Sequence, residues 1–198
     1  MSGSARIEVT TAVAGNWRDV ERLFGRSGAS NGCWCQYWIL GAEYTRRDRS
    51  QNKRDLARQI GSGAAGLVAY RDGEPVGWAR FAPRSELDWL LKRFSGYDFG
   101  QEAAWSLSCF FIARTARGEG VMAQLINYAA DWGRDHETVI EGYPVDTSVD
   151  GATRNVFPGV LPAFLDAGFI ERGRLSMDRA VVASTPDRAP RKHGVASR

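Results

Sequence analysis

The chain has 198 residues, of which 43% are hydrophobic, 25% charged and 11% aromatic, a composition that fits one globular domain and excludes fibrous or disordered classes. Its net charge of +3 comes from positions 183–198, where Arg188, Arg191, Lys192 and Arg198 face Asp187 alone; the neutral remainder argues against nucleic acid as a partner. No window approaches the ~18 apolar residues of a membrane span, and the first ten positions lack the apolar run of a signal peptide, so a cytoplasmic setting without membrane contact is expected.

Ile7 to Thr11 reads as a first strand, and Asn16 as the cap of a helix that carries Trp17, Val20 and Phe24 at helical spacing. Gly32 to Leu40 is aromatic-rich and is expected to be extended, with Cys33 and Cys35 pointing to one face of a strand. Glu43 to Ile60 reads as a polar helical arm whose arginines and lysine form a solvated face. A hairpin follows: Gly66 to Tyr70 and Pro75 to Phe81 are strand-like runs joined by Arg71-Asp72-Gly73, in which Asp-Gly supplies the turn. Ser85 looks like the cap of a short helix reaching Arg93.

Trp105 to Ile112 is a continuous apolar run of the kind buried on both faces, and a short loop leads from it to a helix marked by Val121, Leu125, Tyr128, Ala129 and Trp132. Val139 to Val145 reads as a strand, Leu161 to Asp166 as a short helix closed by Gly168, and Phe169 to Val182 as a last extended stretch. The expected class is mixed α/β with α+β character, antiparallel in its first half and parallel across one strand-helix-strand unit. One domain over 1–182 and a disordered basic tail over 183–198 are expected.

Cys33, Cys35 and Cys109 are odd in number and fit no disulfide framework, and with His136 and His193 as the only histidines no metal site is expected. The chemistry points instead to the turn Arg117-Gly118-Glu119-Gly120 between a buried strand and a long amphipathic helix. Glycines there let the backbone approach a ligand, and the unpaired N–H groups of the helix start suit a phosphate group. Gly118-x-Gly120-x-x-Ala123 also matches a dinucleotide fingerprint, with Glu141 placed 21 positions after Gly120. Only 78 residues follow Gly120, too few for the strand-helix units such a domain needs after its first turn.

Cys109-Phe-Phe-Ile112, Arg117-Gly-Glu-Gly-Val121, Glu141-Gly-Tyr-Pro144 and Ala167-Gly-Phe169, together with Cys33-Trp34-Cys35, resemble the GNAT superfamily of acetyl-CoA-dependent N-acetyltransferases over residues 7 to 182. The resemblance implies splayed central strands and a pyrophosphate-binding strand-loop-helix. It places Phe111 and Ile112 against the pantetheine, and the main chain of Arg117, Gly118, Glu119, Gly120, Val121 and Met122 around the pyrophosphate of acetyl-CoA, with no metal. It implies an amine acceptor, expected to be a small molecule, bordered by the segment that carries Trp34 and Trp38; Glu141 and Tyr143, pointing the same way from the strand beside the cofactor, are the candidates for base and acid. Two positions depart from the family pattern: Thr115 replaces Gln or Arg in the loop, and Phe164 stands where many members have a tyrosine that protonates the departing thiolate. They leave open a non-catalytic acyl-CoA or small-ligand binding protein. A homodimer is compatible with the sequence.

Overall fold

The computed structural model describes residues 6–63, 65–100 and 102–184. The expected hairpin forms as β2 (Gly66–Arg71) and β3 (Glu74–Pro83), with Asp72 (φ 52°) and Gly73 (φ 79°) both left-handed, as a two-residue turn between twisted strands requires. Flanking it are β1 (Ile7–Thr11) and β4 (Ala104–Ile112), followed by β5 (Val139–Gly142), β6 (Ile170–Ser176) and β7 (Arg179–Ala183). These strands make one sheet in the order β1-β2-β3-β4-β5-β7-β6. Every neighbouring pair is antiparallel except β4 and β5.

Strand alternation sorts the core onto two faces. Leu67, Ala69 and Phe110 pack on one side with α5 (Val121–Asp135) and α6 (Leu161–Asp166). Val68, Trp78 and Cys109 pack on the other with α1 (Trp17–Phe24) and α3 (Arg49–Gly61). Two short helices, α2 (Tyr37–Leu40) and α4 (Asp88–Arg93), close a third cluster around Trp38, Leu90 and Tyr143. Among the described residues, no helix is long and apolar enough to cross a membrane.

Several expectations change. Asn16 precedes α1, but its amide donates to the Thr11 carbonyl and accepts from the Val13 N–H, so it fastens the strand-to-helix turn instead of capping the helix. The segment before α2 is not extended: Trp34 (φ 43°) and Cys35 (φ 56°) are left-handed, so the cysteines sit in a tight loop instead of on one strand face. The polar arm begins its α-helix only at Arg49, where Asp48 caps it by accepting from the Ser50 N–H; Arg47 and Arg58 pair with Asp55, and Lys53 with Glu21. The last extended stretch is two strands, β6 and β7. Ala183 lies inside β7, and Ser184 exchanges hydrogen bonds with Ile140; of the expected tail, 185–198 lie outside the described residues.

Two features of this sheet position the site. A bulge between Arg80 and Phe81, opposite Cys109 and Leu107, distorts β4 at Ser108. Beyond Leu107, β4 has no register with β5, so the two parallel strands part. The first turn of α5 lies against β3 because Gly77 has no side chain: a Cβ there would stand 2.5 Å from Val121 Cγ1.

Candidate active site

The gap where β4 leaves β5 exposes backbone. Cys109, Phe111 and Ala113 face β3, so by alternation Ser108, Phe110 and Ile112 turn their N–H and C=O groups toward the gap. Three contacts fill part of it. Trp38 Nε1 donates to the Ser108 carbonyl at 2.7 Å, the Phe110 N–H donates to the Phe157 carbonyl at 2.6 Å, and Arg117 Nε donates to the Ile112 carbonyl at 3.3 Å.

At the outer end of the gap runs a groove of about 750 Å³, lined by Phe111, Ile112, Arg117, Gly118, Gly120, Val121, Met122 and the opposite wall Arg154 to Phe157. Gly118 (φ 81°) and Gly120 (φ 79°) are left-handed, and an added Cβ at either would meet nothing within 4 Å, so the groove floor is bare backbone. The first helical hydrogen bond of α5 joins the Gln124 N–H to the Gly120 carbonyl, which leaves the N–H groups of Val121, Met122 and Ala123 without helical acceptors. These donors, the helix dipole and the two arginines fit a pyrophosphate. Of the expected loop residues, only Glu119 turns its side chain away: Arg71 holds its carboxylate, leaving its main chain to the ligand.

The groove opens into a throat of about 190 Å³ that shares Ala29, Ser30, Phe110, Phe111, Asn155 and Phe157 with it and adds Cys33, Cys35, Tyr37, Trp38, Tyr44 and Cys109. The loop on its near side is held in left-handed conformations at Ala29, Asn31, Trp34 and Cys35, strain of the kind that gathers at ligand clamps. Cys35 and Cys109 bring their sulfurs to 3.4 Å, a contact that, with burial, keeps the Cys35 thiol well above its ordinary range; burial pushes Cys33 up to about 11. The Cys33 and Cys35 thiols are therefore protonated near neutrality and are poor nucleophiles. Among the described residues, no cluster of three His, Cys, Asp or Glu could hold a metal ion.

The expected acceptor aromatics separate. Trp38 lines the throat, whereas Trp34 is packed between Trp17 and Phe24 in the core and lines neither groove nor throat. Phe164 is sealed beneath Phe110 and Phe169, off the cleft. Glu141 and Tyr143 are also drawn inward. The Glu141 carboxylate accepts from Arg84 at 2.6 Å and from the Tyr143 hydroxyl at 3.0 Å, and neither residue lines the groove or throat. Burial raises both pKa values, against the lowering pull of Arg84. This placement corrects the acid-base expectation: a base must reach the reacting proton, and this carboxylate is enclosed by its own cation. Glu141→Gln is therefore expected to keep the wild-type pH–rate profile, where loss of a working base would cost on the order of 10²-fold at low pH; kcat/KM across pH checks it.

Sequence reading missed the wall from Thr153 to Phe157 and the arginines around it, because this segment between β5 and α6 has neither helical nor strand periodicity. Tyr37 was legible only as one member of an aromatic run.

A family model described as the acetyltransferase (GNAT) family matches residues 34–150. Solved structures similar to the chain include the histone acetyltransferase HPA2 and related acetyltransferase from Corynebacterium glutamicum, 16% identical with a TM-score of 0.59 over 91% of this chain and 97% of that one. They include the putative acetyltransferase YncA from Salmonella typhimurium with its cofactor acetyl-CoA, 11% identical with a TM-score of 0.53 over 93% and 96%. The PaiA N-acetyltransferase from Thermoplasma acidophilum in complex with coenzyme A is 11% identical, with a TM-score of 0.51 over 91% and 99%. At these identities the likeness concerns the fold. No curated protein matches the sequence significantly.

Proposed function

The chain belongs to the GNAT family of acetyltransferases, and from that premise we propose that it moves an acetyl group from acetyl-CoA to a primary amine of a small molecule by direct attack in a ternary complex. The observation that carries the proposal is the continuity of groove and throat across Phe110, Phe111, Asn155 and Phe157, so that two ligands can meet end to end at the parted strands. Bound there, acetyl-CoA supplies a thioester carbonyl open to an amine.

The residues have limited tasks. Gly118, Gly120 and the first turn of α5 hold the pyrophosphate through main-chain N–H groups, with Arg117 and Arg154 adding charge. The parted edge of β4 directs the N–H groups of Phe110 and Ile112 toward the site of the developing oxyanion, Phe110 exchanging its bond to the Phe157 carbonyl for that role. As the C–N bond forms and the C–S bond breaks, the thiolate takes up a proton. With Phe164 buried, the phenols available are Tyr37 and Tyr44, both in the throat wall. No carboxylate lines groove or throat among the described residues, so the ammonium, of pKa ~10, sheds its proton to water.

Initial velocities over a matrix of acetyl-CoA and amines, read as released thiol, test this. Direct transfer gives intersecting double-reciprocal lines and no acetyl group on the protein by mass spectrometry. Parallel lines with an acetyl adduct on Cys35 or Cys109 would overturn direct attack. CoA binding without thiol release from any amine would favour a binding protein, the reading that Phe164 and Thr115 leave open.

A further inference from the structure

Beyond the throat lies an outer chamber of about 320 Å³, which shares Tyr37, Trp38, Asn155 and Phe157 with it and adds Arg93, Phe94, Thr153, Ser176, Asp178 and Arg179. Its two arginines are unlike most others in the fold. Arg179 is half-buried, spends one N–H on the Tyr143 carbonyl at 3.1 Å and lies 5.6 Å from the centre of the Trp38 ring. Arg93 lies over Phe94. Neither forms an ion pair among the described residues, whereas Arg22, Arg46, Arg47, Arg58, Arg84 and Arg174 all do. The chamber's one acid, Asp178, is already engaged by the Thr153 N–H at 3.0 Å and the Ser176 hydroxyl at 2.9 Å. Burial lowers the pKa of Arg179, against the opposing pull of the neighbouring Asp178 carboxylate, which lies too far to close an ion pair with it.

Charge across the whole cleft leans one way. Arg117 and Arg154 flank the groove, Arg93 and Arg179 the chamber, and among the described residues Asp178 is the only acid in these walls. A polycationic acceptor, such as a polyamine or a basic peptide tail, would meet like charge at its far end. A guanidinium fork matches a carboxylate in geometry and charge.

We propose that the acceptor is an amine that also carries a carboxylate, with Arg179 and Arg93 holding the carboxylate in the outer chamber while the amine points through the throat. This rests on the acetyl-transfer reading and names its substrate class. Trp38 and Phe157 form the walls between the two ends and suit an apolar middle portion.

The test uses matched amines, each as carboxylate, carboxamide and decarboxylated form, titrated calorimetrically into the CoA-bound protein and assayed in parallel for thiol release from acetyl-CoA. The wild type should bind at least one carboxylate form ~10-fold or more tighter than its carboxamide, about 1.4 kcal/mol. That ratio should collapse toward one in Arg179→Gln, shrink in Arg93→Gln and partly return in Arg179→Lys, with CoA affinity unchanged throughout. Arg93 is exposed, so its variant keeps the test valid if Arg179→Gln folds poorly. Equal binding of carboxylate and carboxamide by the wild type, preference for a diamine, or a ratio that survives both substitutions would overturn the proposal. The two readings fail separately. Carboxylate preference without thiol release would sink acetyl transfer and keep the subsite, while thiol release without carboxylate preference would sink the subsite alone. Absence of both would overturn both.

Discussion

Gly120→Glu is expected to fold and to bind CoA at least ~100-fold more weakly, about 2.7 kcal/mol. The effect combines two terms at one atom position. Gly120 is left-handed at φ 79°, so any side chain strains the turn by about 1–2 kcal/mol. An added Cβ meets nothing within 4 Å, so the carboxylate projects into open groove, where the pyrophosphate would lie. The same carboxylate complements the start of α5, which offsets part of the strain in the ligand-free protein. Gly120→Ala separates the terms, since it carries the strain without the charge and should lose much less affinity. Calorimetric titration of CoA into both variants, with melting temperatures as the folding control, checks the pair.

Arg84→Leu is expected to be the most destabilising of the polar substitutions discussed here. The guanidinium is buried, pairs with Glu141 and also donates to the carbonyls of Phe99, Gly100 and Glu102, so its removal orphans a carboxylate and a loop together. Breaking a buried pair in this way costs about 3–5 kcal/mol, or roughly 10 °C in melting temperature for a domain of this size. The pH dependence has a definite sign. Burial already holds the Glu141 pKa above its unfolded value, so this group's contribution is fully present below the ordinary carboxylate range and is lost as pH rises through the raised value. Without Arg84 the pKa rises further, and the loss should extend to higher pH. The variant should therefore approach wild-type stability in acid and fall away toward neutral pH. Melting curves from pH 4 to 8 decide it, and a pH-independent deficit would show that the loop carbonyls, not the carboxylate, dominate.

The hairpin with its Asp72-Gly73 turn, the run from Trp105 to Ile112 and the helix from Val121 were legible because periodicity and turn chemistry agree there with the tertiary fold. The Gly118-Glu119-Gly120 turn was legible for the same reason, since two glycines between a buried strand and an amphipathic helix supply the left-handed conformations a tight turn needs. The loop from Ala29 to Cys35 was not, because four of its non-glycine residues adopt left-handed conformations that only packing against the Trp34 ring and the sheet can impose. The strand expected over Val139 to Val145 ends at Gly142, so Glu141 lies on β5 and Tyr143 just beyond it, although the two side chains do meet. Their meaning was hidden by Arg84, which lies 57 positions away in the chain and draws the carboxylate inward. Arg93 and Arg179 meet in one chamber only through the sheet order that sets β7 beside β5.

In the proposed reaction one cleft, floored by the Gly118–Gly120 turn, passes an acetyl group from CoA to an amine. The most direct measurement counts released thiol and acetylated amine together, for wild type and Gly120→Glu at the same protein concentration. Direct transfer gives one acetylated amine per thiol released by the wild type, and at least ~100-fold less product from the folded variant below saturating acetyl-CoA. Undiminished product from Gly120→Glu, or thiol released by the wild type without any acetylated amine, would contradict it.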